Sequence, residues 1–160
     1  MAMSERIHVL LLLAPLIFVC HVVEELPGFV EWFNSHVARG ITQELFLTVN
    51  TGGLIIILII VVNEWFSRSR ISLAIAVAWL SFMMLANGIF HIAATILDRQ
   101  YVPGVITSVV LYLPYTALFF SLVIRSRRIS LAVMAICVLV GSIPMLLHGY
   151  LILFRGSRLV

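Results

Sequence analysis

The stretch His21-Val22-Val23-Glu24-Glu25 places one imidazole and two carboxylates close together near the end of a long apolar segment. Positions three and four residues apart lie on one face of a helix, so His21 is predicted to point the same way as Glu24 and Glu25. Ionisable side chains inside a membrane are energetically expensive and usually mark a function. The motif therefore predicts a functional His/Glu site. The alternative interpretation is a polar cap on the helix at the level of the lipid headgroups.

The composition places this motif in a membrane protein. The 160 residues are 62% hydrophobic and 11% charged, with a mean hydropathy of +1.17, whereas a soluble domain is nearer about 45–50% apolar and about 25% charged. All basic residues are arginines in short loops and at the termini, with no basic tract, so no nucleic-acid partner is expected. Cys20 and Cys137 lie in apolar segments outside any CxxC pair, which argues against a disulfide framework.

Five apolar segments are long enough to cross a bilayer as helices. The sequence therefore predicts an all-α bundle of about five transmembrane helices, forming a single domain over residues 1–160. The predicted helices are approximately residues 7–26, 43–66, 71–97, 104–124 and 129–154. The aromatic and polar stretch between the first two is typical of a short interfacial helix or loop. A bundle this small is also a candidate for homo-oligomer formation.

The arginines predict the orientation of the bundle. The loops after the second and fourth helices carry five of them, Arg68, Arg70, Arg125, Arg127 and Arg128, and the loops after the first and third carry two, Arg39 and Arg99. The positive-inside rule then places the N-terminus in the cytoplasm and the His/Glu motif toward the outer leaflet.

Polar residues of the other helices fall at the same depth as the motif. Asn87 and His91 are four residues apart near the end of the third helix and share a face, and His148 lies close to the end of the fifth. At a rise of about 1.5 Å per residue, His91 and His148 each lie roughly 10 Å outward of their helix midpoints. We therefore expect both side chains to meet His21.

Histidine and carboxylate are the usual ligands of zinc and of non-haem iron, so we expect a divalent metal, zinc or iron. Its candidate ligands are His21, Glu24, Glu25, His91 and His148. The glutamate that does not bind the metal is expected to act as general acid or base, and Asn87 to orient a histidine or a substrate oxygen. The candidate catalytic residues are thus His21, Glu24, Glu25, Asn87 and His91. The expected partners are membrane lipid and an apolar or amphiphilic small-molecule substrate.

Other functions stay open at this point. A metal-free isomerase or cyclase would use Glu24 and Glu25 as acid and base, with one carboxyl group kept protonated by its low-dielectric surroundings. An ion- or proton-coupled transporter or binding protein would use the same groups as a relay. A transport pathway needs polar residues in both leaflets, and the opposite half holds little beyond Glu64 and His8, near helix ends. An accessory subunit without catalytic activity is a third alternative.

The remaining charged residues are expected to have no part in the site. We expect His8 and His36 to lie at the membrane interface without a role, and the arginines only to set topology.

Taken in order, the motifs resemble those of a known family. His21-x-x-Glu24-Glu25, Asn87-x-x-x-His91 and Tyr101-x-Pro103-Gly104-x-x-Thr107, followed by Pro114, resemble the HXXEE-domain family of small bacterial membrane proteins. The resemblance extends from the first helix to the fifth. It implies a shared polar site and a bacterial inner-membrane location. It implies no particular substrate, because the family is largely uncharacterised.

Overall fold

The computed structural model describes residues 3–155, and within them it contains helices and turns but no strand. Five helices are long and apolar enough to cross a membrane, and we call them the first to fifth spans: Glu5–Glu25, Gln43–Ser67, Arg70–Asp98, Val105–Ser126 and Leu131–Arg155. Their ends lie within two residues of those predicted. The all-α prediction is confirmed, and the chain has the architecture of an integral membrane protein.

Three spans are built from shorter helical pieces. The first is formed by the helix Met3–Leu11, which begins two residues before the span, and the helix Ala14–Glu25. Pro15 lies at the start of the second piece, where its missing N–H interrupts the hydrogen bonding of a continuous helix. The third and fourth spans each contain one π-helical turn, with pieces Arg70–Leu80, Ser81–Ala86 and Asn87–Asp98 in the third and Val105–Thr107, Ser108–Tyr112 and Leu113–Ser126 in the fourth. Such turns are rare and are frequent at functional sites.

A short helix, Phe29–His36, follows the first span and is anchored to the end of the third. The Trp32 indole N–H donates to Asp98 Oδ2 at 2.6 Å, and His36 Nε2 lies 3.1 Å from the same oxygen. His36 was expected to have no role, whereas the structure gives it this anchoring contact. Trp32 and Phe33 also pack beside Phe90 in a small apolar cluster. The short helix therefore covers one end of the bundle.

The main apolar core lies in the middle of the bundle, between the five spans. The third span packs against the second, fourth and fifth, and the first packs against the second and fourth. Phe18, Met84 and Phe119 are among its buried members, each at most 3% exposed. Burial of such side chains stabilises the bundle by about 1.5–3 kcal/mol each where the alternative environment is water.

A buried charge cluster lies at the opposite end of the bundle. The Glu64 side chain is fully buried, accepts hydrogen bonds from Arg128 and Ser72, and lies 3.3 Å from His8 Nε2. Arg128 also donates to the Ser69 carbonyl at 2.7 Å. The sequence predicted an interfacial His8 and a purely topological Arg128, whereas both contact Glu64. The cluster ties the first three spans to the loop before the fifth.

Replacing Arg128 by Met should leave the Glu64 carboxylate buried without its cation. We expect a loss of about 3–5 kcal/mol in the free energy of unfolding, measured by titration with a denaturing detergent. The double variant Arg128→Met/Glu64→Leu should recover most of this loss, because no charge is then left unpaired. The matched control is Arg125→Met, which removes an exposed arginine from the last turn of the fourth span, close to the same loop. Equal effects of the two single arginine variants would contradict the stabilising role of the cluster.

Candidate functional site

Three buried side chains converge where the first and third spans end and the fourth begins. His21, Glu25 and His91 are 1%, 4% and 0% exposed. From Glu25 Oε1, the distance to His91 Nε2 is 3.1 Å and the distance to His21 Nε2 is 3.6 Å. One ligand atom from each residue lies within 4.8 Å of the other two. The structure thus brings together three of the five predicted metal ligands.

The two facing imidazole nitrogens are unusual in lacking hydrogen bonds. His21 Nε2 and His91 Nε2 are buried and have no hydrogen-bond partner among the described residues. Nearly all buried polar groups in proteins are paired, and an unpaired one costs about 1–3 kcal/mol. A buried carboxyl group such as that of Glu25 is either protonated or paired with a cation. A cation between these three groups would satisfy all of them.

Glu24 points to a different set of partners. Its carboxylate accepts from the backbone N–H groups of Ile106 and Thr107 at 3.0 and 2.7 Å. It also accepts from the Thr107 hydroxyl at 2.5 Å and the Tyr101 hydroxyl at 2.8 Å. The first N–H groups of a helix have no partner within it, so a carboxylate there is stabilising. Four donors therefore hold Glu24 at the start of the fourth span and leave it outside the group formed by Glu25, although it was a predicted metal ligand.

Tyr101 remains a donor in this contact at neutral pH. Partial burial, together with the adjacent Glu24 carboxylate, raises the pKa of Tyr101 to about 12. Both effects disfavour the phenolate, so the phenol keeps its proton and its hydrogen bond to Glu24.

Thr107 links Glu24 to His21. The Thr107 Oγ1 lies 2.5 Å from Glu24 Oε2 and 2.7 Å from His21 Nδ1. A hydroxyl has one hydrogen to donate, and an ionised carboxylate can only accept. The hydroxyl therefore donates to Glu24 and accepts from Nδ1–H of His21. This tautomer leaves the lone pair of His21 on Nε2, the atom that faces Glu25. Glu24 thus determines, through Thr107, which nitrogen of His21 is free to bind.

The backbone of the Tyr-x-Pro-Gly turn packs closely against both imidazoles. Gly104 has a φ of +98°, and a Cβ added there would lie 2.7 Å from His91 Cε1 and 2.9 Å from His21 Cε1. The His21 ring also stacks on Tyr112 with a centroid separation of 4.3 Å and meets His91 edge-on at 4.9 Å. Tyr112 lies in the π-helical turn of the fourth span, which the sequence did not reveal. The sequence placed Gly104 and Thr107 at the start of the fourth helix, at the depth of the site, but did not predict their contacts with the histidines.

Asn87 and His148 lie on the wall of a neighbouring cavity. Asn87 lies beside His21, and its Oδ1 is buried without a hydrogen-bond partner. His148 is exposed on the fifth span and stacks on Phe33 with a centroid separation of 6.3 Å. The sequence predicted His148 as a ligand, but the described structure does not place it in the group of three. His148 lies near the predicted depth in the membrane, but the fifth span places it to the side of the three ligands.

The cavity has a volume of about 590 Å³ and reaches Glu25. The short helix and the second, third and fifth spans form its walls, which are mainly apolar and aromatic. Cavities of about 300–1,000 Å³ with a few polar groups are typical of small-molecule sites. A molecule bound in this cavity would therefore contact the carboxylate that faces the two histidines.

The comparisons with known proteins agree with the motif. A family model described as "Protein of unknown function with HXXEE motif" matches residues 12–119, more than half of the chain. This range contains His21, Glu25, His91 and Thr107, so the match confirms the family, although it ends within the fourth span and does not include the fifth. No curated protein and no solved structure matches the chain.

Gly104→Ala should disturb the site more than its small size suggests. The added methyl group meets both imidazoles at under 3 Å, and the positive φ is unfavourable for alanine, so we expect a loss of about 1–3 kcal/mol. Thermal unfolding in detergent measures it. The control Gly52→Ala adds a methyl group with nothing within 4 Å, inside a helix, and should be neutral or stabilising. Equal unfolding temperatures for the two variants would contradict the close packing at Gly104.

Proposed function

We propose that this chain, which belongs to the HXXEE family, is an integral membrane enzyme that binds a divalent metal ion and acts on a lipid-soluble or amphiphilic small molecule. The metal ligands would be His21, Glu25 and His91. The observation that carries the proposal is the convergence of three buried ligand atoms, of which both imidazole nitrogens lack hydrogen bonds. Two histidines and one carboxylate form the protein donor set of many zinc and non-haem iron sites, which leave positions open for water and substrate.

The neighbouring residues support this chemistry. A metal ion held by the three ligands would polarise a bound oxygen or lower the pKa of a bound water. The chain itself presents Nε2 of His21 through the hydrogen bond from Nδ1 to Thr107. Asn87 offers an unpaired oxygen that would orient a substrate near Glu25. Glu24 is a positioning residue, because its lone pairs are taken by four donors.

We also propose a bacterial inner-membrane location with the site toward the outer leaflet. The support is the excess of arginines in the loops at the end opposite the site. Under the positive-inside rule this end is cytoplasmic, together with the N-terminus. The proposed substrate would then reach the site from the outer leaflet.

One observation favours a metal-free variant of the same proposal. His91 Nε2 lies 3.1 Å from Glu25 Oε1, and although the present angle forms no hydrogen bond, a small rotation of the ring would let a proton pass between them. Because Glu24 is occupied, this isomerase- or cyclase-like chemistry would use Glu25 and His91 in place of the two glutamates. It becomes the better proposal if the folded protein contains no metal.

Elemental analysis of protein purified in mild detergent without chelator tests whether the site binds a metal ion. We expect stoichiometric zinc or iron in the wild type. His21→Ala, Glu25→Ala and His91→Ala should each lose it, because each removes a ligand. His148→Ala is the matched histidine control and should retain the metal, as should most of the Glu24→Gln protein. Metal-free wild type that is well folded would overturn the metal-dependent version.

A second prediction concerns the tautomer of His21. Thr107→Val keeps the shape of the side chain but removes the hydroxyl that joins His21 to Glu24. We expect metal affinity to fall about 10–100-fold, as for other residues that orient a metal-binding histidine. Thr107→Ser restores the hydroxyl and should restore most of the affinity. Competition with a chromophoric chelator measures both. Similar affinities for the Val and Ser variants would show that the hydroxyl does not orient His21.

A further inference from the structure

The cavity has the shape of a groove along the bundle. It is lined on the second span from Leu45 to Ile56 and on the third from Trp79 to Phe90. At about 1.5 Å rise per residue, each of these stretches is roughly 16 Å long. That is about half of a hydrocarbon core of about 30 Å. The groove therefore runs from the end that holds the site toward the middle of the bilayer, and an extended chain fits it better than a compact molecule.

The groove opens sideways, toward the position of the lipid. Several of its lining residues on the second span are also exposed on the bundle surface, including Val49 at 63% and Leu45 at 48%. His148 on the fifth span is exposed as well. These residues belong to membrane-spanning helices, so the surface that they expose faces acyl chains. A bilayer molecule can therefore enter the groove without passing through water.

The polar end of the groove is suited to an uncharged headgroup that donates a hydrogen bond. Its polar side chains include Glu25, Asn50, Asn87 and one imidazole, His148, and none of the lining residues is an arginine or a lysine. Phosphate groups are normally bound by arginine or lysine, and a carboxylate repels them. Asn87 Oδ1 lies beside His21 and keeps a lone pair free to accept, and Asn50 already donates through Nδ2 to the Phe46 carbonyl, which leaves its oxygen to accept. A hydroxyl headgroup would supply the missing donor.

From these features we infer that the groove binds an uncharged single-chain lipid with a hydroxyl headgroup, a long-chain alcohol. It enters sideways from the bilayer and places its hydroxyl beside Glu25 and Asn87. The inference names the substrate class of the site described above, and it rests on the proposed function only for the reaction that follows binding. Binding itself depends on the groove and its acceptors.

Photo-crosslinking of the full-length protein in phosphatidylcholine vesicles tests this. The probe is a long-chain alcohol with a diazirine near the end of its chain, and the comparison probes are the matching alkyl phosphate and alkane. Mass spectrometry locates the labelled residues. We expect the alcohol to label the deep end of the groove, at Trp79 and Met83, in preference to lipid-facing Leu139. The alkyl phosphate should label only lipid-facing positions.

Two neighbouring isoleucines provide matched variants. Ile56 lines the groove and Ile55 does not, although both are partly exposed on the same helix. Ile56→Trp should fill the groove and reduce its labelling by about tenfold, which corresponds to about 1.4 kcal/mol. Ile55→Trp should leave labelling unchanged. Asn87→Leu should remove the preference for the alcohol over the alkane.

The outcomes separate this inference from the proposed function. Equal groove labelling by the alcohol and the phosphate would overturn the headgroup assignment, and labelling confined to lipid-facing positions would overturn the groove as a binding site. Metal content is measured on the same preparation. Metal-loaded protein without groove labelling overturns the lipid inference alone. Metal-free protein with groove labelling overturns the metal-dependent function alone.

Discussion

The contact between the Glu24 carboxylate and the start of the fourth span holds the end of the first span in place, and the geometry of the site depends on it. Two backbone N–H groups and two hydroxyls converge on this one carboxylate. With the fourth span fixed there, Gly104 lies under the imidazoles of His21 and His91. Thr107, as a member of the same contact, sets the orientation of His21. A single ion-to-helix contact thus positions two spans, one turn and one histidine ring.

This arrangement gives a physical reason for the spacing of the motif. Adjacent residues on a helix point about 100° apart, because the helix has about 3.6 residues per turn. Two consecutive glutamates therefore leave the helix toward different neighbours. Glu25 is four residues from His21 and shares its face, whereas Glu24 is rotated toward the neighbouring span. Carboxylates that look equivalent in the sequence have separate tasks, one facing the two histidines and one joining helices.

The sequence predicted the spans well because length and apolar composition determine which segments cross a bilayer. It also placed His21, both glutamates, His91 and His148 at one depth, since chain direction and helical rise give the depth of each residue, but it left open which glutamate faces inward. Depth alone does not fix where a side chain lies, because the arrangement of neighbouring spans and the rotation of each helix also matter. The lateral position of His148 depends on which spans are neighbours, and the roles of Glu24 and Glu25 depend on helix rotation. The partners of His8, Arg128 and Glu64 depend on the loops. None of these follows from periodicity, and neither do the π-helical turns.

The apolar core between the two polar ends of the bundle separates the charges at one end from those at the other. Phe18, Met84 and Phe119 are packed and buried between the group of His21, Glu25 and His91 and the cluster around Glu64. A charge cannot cross such a layer without a large desolvation cost. Under the proposed function, protons exchanged at the histidines would therefore return to the side from which they came. The apolar layer would thus let a reaction at the outer end proceed without carrying charge across the membrane.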